Sequence, residues 1–244
     1  QILEGCLSNC SFCKTKLAKG DVFSYTIGKI LQSIESDLSN GAKEVWLTSQ
    51  GNECFGMDRG QQELPELITK ITDLKHRFKI RIGMMNPKDV LNIVDDLIAS
   101  YKSDKVYKFL HLPVQSGSDK VLKDMRRPYT IEEAKKIIKK FRSNFPDITI
   151  ATDIITGYPT ETNKDHQLTL DFINEIKPDV LNLSKFSKHK RTPAENLKDL
   201  PIEIMNKRNQ DTMRLHKETA LENKNKFLNK ITNVFVNKKI SQDL

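Results

Sequence analysis

The chain holds 244 residues with a net charge of +8; 37% of its residues are hydrophobic and 30% charged. That length suits one or two globular domains with a real core, and the composition excludes an intrinsically disordered chain. No apolar run approaches the roughly 18 residues a membrane-spanning helix needs. The four cysteines, three of them within eight residues, exclude a secreted disulfide scaffold of this size and favour a reducing compartment and a metal site.

In chain order, a strand stub at 1–4 leads into the cysteines Cys6, Cys10 and Cys13. Helical spacing follows over 27–39, where Ile30, Ile34 and Leu38 recur on one face, and KEVWLTS at 43–49 reads as a strand. Helix 64–75 precedes strand 78–84, and helix 87–101 precedes strand 106–113. Pro65 and Pro87 suit the first turns of their helices. Helix 131–145, strand 148–155, helix 164–176 and strand 179–184 complete the alternation, with a capping-box pattern at 162–165. Repeated strand–helix units imply a parallel sheet with right-handed crossovers, and six of them make an open or partial barrel. Chemistry in such folds sits at the carboxyl ends of the strands. Polar clusters fall there four times: Thr48-Ser49-Gln50, Asn86, Gln115 to Ser118, and 156–162.

Beyond Ser184 the character changes. A basic loop at 187–190 and a connector marked by Pro193 and Pro201 lead to a long polar helix over 203–227, then a strand pattern, ITNVFV, from Ile231. Residues 185–244 carry 14 Lys and Arg against 7 Asp and Glu, so nearly all of the net charge sits in the last quarter. A basic end on a near-neutral body suits a polyanionic partner such as nucleic acid.

The cysteine run is C-x3-C-x2-C, directly after the first strand stub. Three thiolates on a tight loop can cap three irons of a cubane cluster and leave the fourth iron open. An open iron that chelates the amino and carboxylate groups of S-adenosylmethionine (SAM) can cleave it reductively to a carbon radical. Zinc remains an alternative, with Cys54 or His111 recruited as fourth ligand, although there is no second C-x2-C pair. A closed electron-transfer cluster completed by Cys54 and a set of unliganded structural cysteines are the other readings.

The triad on the first βα loop resembles the radical SAM enzymes. Five ordered blocks resemble more closely the tRNA methylthiotransferases, in the archaeal and eukaryotic branch that acts on N6-threonylcarbamoyladenosine. The blocks are EGCLSNCSFCKTKLAKG, EVWLTSQ, RIGMMNP, KFLHLPVQSGSDKVLKDMRRPYT and ATDIITGYPTET, within 4–162. The resemblance implies an α/β fold, a partial (β/α)6 radical SAM barrel over 1–200, with a helical extension over 201–229. The first strand of a truncated RNA-binding β-barrel would occupy 230–244. It implies that Cys6, Cys10 and Cys13 hold a 4Fe–4S cluster and that Phe12, Ser49, Gln50, Gln115, Ser116 and Asp153 line the pocket for SAM or substrate. It also implies a second 4Fe–4S cluster on an N-terminal domain that this sequence lacks, a tRNA anticodon arm as partner, an electron donor, a cytoplasmic setting and no membrane.

The expected reaction is methylthiolation of the adenine C2. Another radical SAM target, such as a ribosomal protein, and a non-enzymatic zinc- or RNA-binding module are the alternatives. The sequence departs from the resemblance at 51–54, where Gly-Asn-Glu-Cys replaces a more usual Asp-Thr-Gly-Ala, and at Thr160, where Gly is common.

Overall fold

The computed structural model describes residues 1–231. Apart from Ile231, the strand expected near the C-terminus lies outside the described residues. Strand β1 (Leu3–Glu4) runs into the cysteine loop and the short helix α1 (Thr15–Lys19), and β2 (Phe23–Ser24) returns antiparallel to β1. The alternation then runs α2 (Ile27–Ser39), β3 (Glu44–Leu47), α3 (Leu64–Thr72), β4 (Lys79–Ile82), α4 (Pro87–Val90), α5 (Val94–Tyr101) and β5 (Phe109–His111). It closes with α6 (Asp119–Asp124), α7 (Ile131–Asn144), β6 (Thr149–Thr156), α8 (Asn163–Ile176), β7 (Val180–Lys185) and α9 (Ile202–Asn225).

Parallel ladders join β3 to β4 and β5 to β6 to β7. A parallel bridge between Ile80 and Val106 carries the arc from β4 towards β5, and the Ile2 N–H donates to the Thr48 carbonyl at 3.0 Å, carrying it from β1 to β3. The result is a curved arc of six strands, β1 and β3 to β7, the expected partial barrel. One face of each strand is sealed by helices: Ile80, Ile82, Leu110, Leu112, Ile150 and Ile154 are buried against apolar stripes such as Ile30/Ile34/Leu38 of α2 and Leu64/Leu67/Ile68/Ile71 of α3. The period-two alternation leaves Trp46, Arg81, Phe109, His111, Asp153 and Asn182 on the helix-free face, all at least partly exposed.

Three local details differ from the sequence reading. The helix expected over 87–101 is broken: α4 passes through a 3-10 turn at Leu91–Ile93 into α5. Val90, Ile93, Val94, Leu97 and Ile98 stay buried throughout, so the apolar period survives while the hydrogen-bond register tightens. The strand expected over 106–113 is paired in a ladder only at Phe109–His111. Helices α1 and α6 have five and six residues, too short for a repeating apolar stripe to announce them. The capping box at α8 forms as expected: the Thr162 hydroxyl accepts from the Asp165 N–H (3.2 Å), and the Asp165 carboxylate accepts from the Thr162 N–H (2.8 Å).

His166, next in α8, is buried with neither ring nitrogen hydrogen-bonded. Burial, with Arg208 beside it adding, pushes its pKa down to about 4. The folded chain therefore holds a neutral imidazole where the unfolded chain takes up a proton near pH 6.5. Stability is lost as pH falls from about 6.5 to about 4, at up to ~1.4 kcal/mol per unit. Glu53, pushed up to about 7 by burial, works in the opposite sense between pH 7 and its unfolded pKa. The expected result is that urea midpoints of wild type and His166→Gln, measured from pH 7 to pH 4, diverge progressively, with the variant gaining on the wild type at the acid end. Parallel curves would refute the role given to His166.

Candidate active site

Backbone geometry sets the cysteine loop at the mouth of the arc. Gly5 turns the chain out of β1 with φ of +77°, and a Cβ there would lie 1.9 Å from the Asp21 carbonyl oxygen, so no side chain fits. The loop is then pinned from behind. The Ser11 N–H donates to the Met125 carbonyl (3.0 Å), and the Ser11 hydroxyl reaches the Asp124 carbonyl and the Tyr158 hydroxyl, each at 2.9 Å. The Ala194 N–H donates to the Ser11 carbonyl (2.9 Å). Ser11, a small buried polar residue, thus ties the loop to α6, to the loop after β6 and to the segment before α9.

Cys6, Cys10 and Cys13 are free, half-buried thiols lining one open cavity with Lys16 and Arg191. The Thr15 N–H donates to Cys13 Sγ at 3.3 Å, and Arg127 Nη1 donates to Cys10 Sγ at 3.4 Å. Arg127 is itself buried and fixed, with Nη2 on the Pro113 carbonyl (2.8 Å) and Nε on the Tyr129 hydroxyl (3.1 Å). Burial pushes the Cys6 thiol up, and its neighbours Cys10, Cys13 and Glu53 push the same way. Cationic metal centres reverse that balance and bind the thiolates.

The donor set fits an iron–sulfur cluster better than a single ion. Thiolates around one zinc at about 2.3 Å lie under ~4 Å apart. Among the described residues, the group of ligand atoms closing within 4.8 Å is Glu53, Cys54 and Asp89, and the three loop thiols do not all close within that distance. Cys54 does not turn towards them as a fourth ligand: it is buried, with Sγ 3.4 Å from Glu53 Oε1.

The rim after β3 explains the departure at 51–54. Gln50, Gly51, Cys54 and Asn86 share a second small cavity with Cys6. Glu53 is fully buried, and its Oε1 accepts from Asn86 Nδ2 at 2.8 Å. A Cβ on Gly51 would meet that Oε1 at 2.6 Å. The Glu53 carboxyl therefore fills the space in which a side chain at 51 would begin, and glycine there is the counterpart of the acid two residues on. Ser49 serves the same turn, its hydroxyl accepting from the Gly51 N–H at 3.2 Å.

The other residues singled out in the sequence are spread around this mouth. Gln115 bridges to β6, with its N–H on the Asp153 carbonyl (2.7 Å) and its own carbonyl accepting from the Ile155 N–H (2.9 Å). Those bonds hold it at φ of +77°, in the left-handed region that few residues with a Cβ adopt. Asp153 sits on the helix-free face, where Oδ1 lies 2.8 Å from His111 Nε2 and accepts from Asn182 Nδ2 at 2.7 Å. Ser116 is buried, its hydroxyl shared with Thr169 Oγ1 of α8 (3.4 Å) and the Ser118 N–H (3.2 Å). Phe12 packs on the apolar cluster of Val121, Met125, Tyr158, Phe186 and Met205. Sequence reasoning missed Ser11 within the loop, and Arg127 and Tyr158, which meet the loop at Cys10 and Ser11 across more than a hundred residues of chain.

The profile of the radical SAM superfamily matches residues 1–173. A curated protein of Archaeoglobus fulgidus, named probable threonylcarbamoyladenosine tRNA methylthiotransferase, is 42% identical over 97% of this chain and 56% of its own length. A human protein named threonylcarbamoyladenosine tRNA methylthiotransferase is 36% identical over 88% of this chain and 37% of its own. The chain thus spans about half the length of the archaeal relatives it matches. Among solved structures, the radical SAM methyltransferase TsrM of Kitasatospora setae, with cobalamin and a 4Fe–4S cluster bound, aligns with a TM-score of 0.65 at 15% identity, over 80% of this chain and 37% of that one. Coproporphyrinogen III oxidase of Escherichia coli aligns at 0.58 and 15%, over 79% and 46%. At such identities these two speak for the fold alone. The profile match takes in the cysteine loop, the arc through β6 and most of α8, and on that match the chain belongs to the radical SAM superfamily.

Proposed function

We propose that this chain is the catalytic core of an enzyme that methylthiolates C2 of N6-threonylcarbamoyladenosine next to the anticodon of tRNA. The observation that carries the reading is the 42% identity over 97% of the chain to a protein named for that reaction. When bound, a 4Fe–4S cluster and SAM supply the electron and the carbon radical that such a C–H to C–S exchange requires. Cys6, Cys10 and Cys13 hold that cluster, and the Arg127 guanidinium donates to the sulfur of Cys10. A hydrogen bond to a ligand sulfur is one of the protein's levers on cluster potential. Gln50, in a cavity shared with Cys6, Ser49 on the same turn, Gln115, Phe12 and Asp153 line the path of SAM and substrate. His111 and Asn182 fix the Asp153 carboxylate. The exposed Lys190 and Arg191, the latter also lining the cysteine cavity, face the phosphates of the anticodon arm. The sulfur donor is a second cluster on a domain beyond this chain, the electron comes from a separate donor protein, and the setting is the cytoplasm. No helix of the described residues is long and apolar enough to cross a membrane.

The test is nucleoside mass spectrometry of tRNA from a strain deleted for the gene. The expected result is loss of the 2-methylthio nucleoside with accumulation of threonylcarbamoyladenosine, restored by the intact gene and not by a Cys6→Ala gene. An unchanged level of the methylthio nucleoside in the deletion strain would refute the reading.

A further inference from the structure

The helix-free face of the arc carries a cation that the site described above does not use. Arg81, on β4, lies between two aromatic rings: its guanidinium carbon is 4.2 Å from the centroid of Phe109 on β5 and 4.9 Å from that of Trp46 on β3. Cation–π contact with two rings restricts the guanidinium and leaves its N–H groups to bond a ligand. Among the described residues those N–H groups have no hydrogen-bond or ion-pair partner. The acids on the same face are engaged elsewhere. Glu44 accepts from Trp46 Nε1 at 2.7 Å, and Asp153 is held by His111 and Asn182. Trp46 is 54% exposed, so the stack opens to the interior of the arc. Arg81 lies two residues before Gly83, whose N–H is bonded to the Leu47 carbonyl at the end of β3. At about 3.3 Å per residue Arg81 is rooted roughly 7 Å below the strand ends from which the chain runs on to Gln50 and Asn86.

A pre-aligned, unpaired guanidinium inside an active-site opening is built to receive a planar oxyanion through two parallel hydrogen bonds. From this we infer that Arg81, clamped by Trp46 and Phe109, binds the carboxylate of the substrate nucleoside. The inference rests on the function proposed above: a threonylcarbamoyl group on adenine ends in the free carboxylate of its threonine. Of the substrate's groups at the modified base, that carboxylate is the one carrying a negative charge. The stack gives the arc a means of distinguishing this nucleoside from adenosines whose N6 substituent is uncharged.

The test uses the full-length protein and two anticodon stem-loop RNAs, one with threonylcarbamoyladenosine and one with its threonine methyl ester. The readout is the ratio of kcat/KM for acid over ester. The expected ratio for the wild type is about 10–100, from one charge-assisted bidentate contact. Arg81→Gln should bring it close to unity, mainly through KM for the acid, and Arg81→Lys should fall between. Iron content and thermal midpoint establish that each variant is folded, and the lysine variant keeps the charge should the glutamine variant not fold. A ratio unchanged in Arg81→Gln, or a wild-type ratio near unity, overturns the inference while leaving the proposed function standing. No methylthio product from either RNA with the wild type overturns that function, and the inference with it.

Discussion

Alanine at Cys6, Cys10 or Cys13 is expected to reduce SAM cleavage to background and to remove one cluster's worth of iron and sulfide from the reconstituted protein, whereas Cys54→Ser should leave both within about twofold of wild type. The contrast follows from where the four thiols lie. Three share an open cavity with two cationic side chains, and the loop that carries them is fixed by Ser11 on one side and by Arg127 on the other. With only two thiolates the remaining ligands span too little of a cubane to retain it, and in Cys10→Ala the buried Arg127 donor also faces no sulfur. Cys54, although it lines a small cavity with Cys6, is buried against Glu53 and Asp89, and burial holds its thiol far above the usual range. A thiol so disfavoured as an anion is a poor ligand, and its loss leaves a Ser of similar size. Iron and sulfide analysis with quantification of 5′-deoxyadenosine checks both halves. Cluster retained in any one of the triad variants, or lost in Cys54→Ser, would remove the present assignment of ligands.

The parts of this site legible in the sequence are those written in short-range pattern. C-x3-C-x2-C and the 162–165 capping box depend on neighbours within eight residues, and both stand in the structure as spaced. The arc was legible because β-branched runs such as FKIRIGM and ITIATDII alternate with helical stripes. What could not be read is what the barrel brings together across it. Arg127 reaches Cys10 over 117 residues and Ser11 meets Tyr158 over 147, and no local period records either pair. Gly51 and Glu53 are only two residues apart, yet their exchange of space shows only once the Glu53 side chain is seen folded back over the turn. Ser116 is a related case. A polar residue after a strand reads as rim chemistry, but here the strand end is roofed by Thr169 of α8, and the hydroxyl is used for packing. At Thr160, where the resembling sequences favour glycine, the hydroxyl donates to Asp124 of α6 at 2.5 Å, which gives the departure a structural use.

The same loop carries the second large effect. Arg208→Ala is expected to destabilise the protein by about 3–5 kcal/mol, because it strands a buried carboxylate. Arg208, on α9, is 5% exposed and spans three acceptors: Glu161 Oε2 at 2.7 Å, the Glu161 carbonyl at 3.0 Å and Asn163 Oδ1 at 2.9 Å. The side chain of Glu161 is 1% exposed, and burial raises its pKa, while the Gly157 N–H and Arg208 oppose the rise. Without the guanidinium, the carboxyl keeps only the Gly157 N–H and must take a proton or admit water. For a chain of this size the loss corresponds to a fall in thermal midpoint of about 6–20 °C. Arg208→Met with Glu161→Leu, which removes both charges into an apolar pair, should recover most of it.

The effect reaches the cysteines by contact. The 157–161 loop also carries Tyr158, whose hydroxyl meets Ser11 Oγ at 2.9 Å, one residue after Cys10. Loosening the clamp on α9 frees the residue that pins the cysteine loop, so Arg208→Ala should lose iron in a chelator challenge several-fold faster than wild type, even well below its midpoint, and the double variant should restore both stability and iron retention. A single variant that melts early yet holds its iron as the wild type does would show that α9 stabilises the arc without bracing the cluster loop.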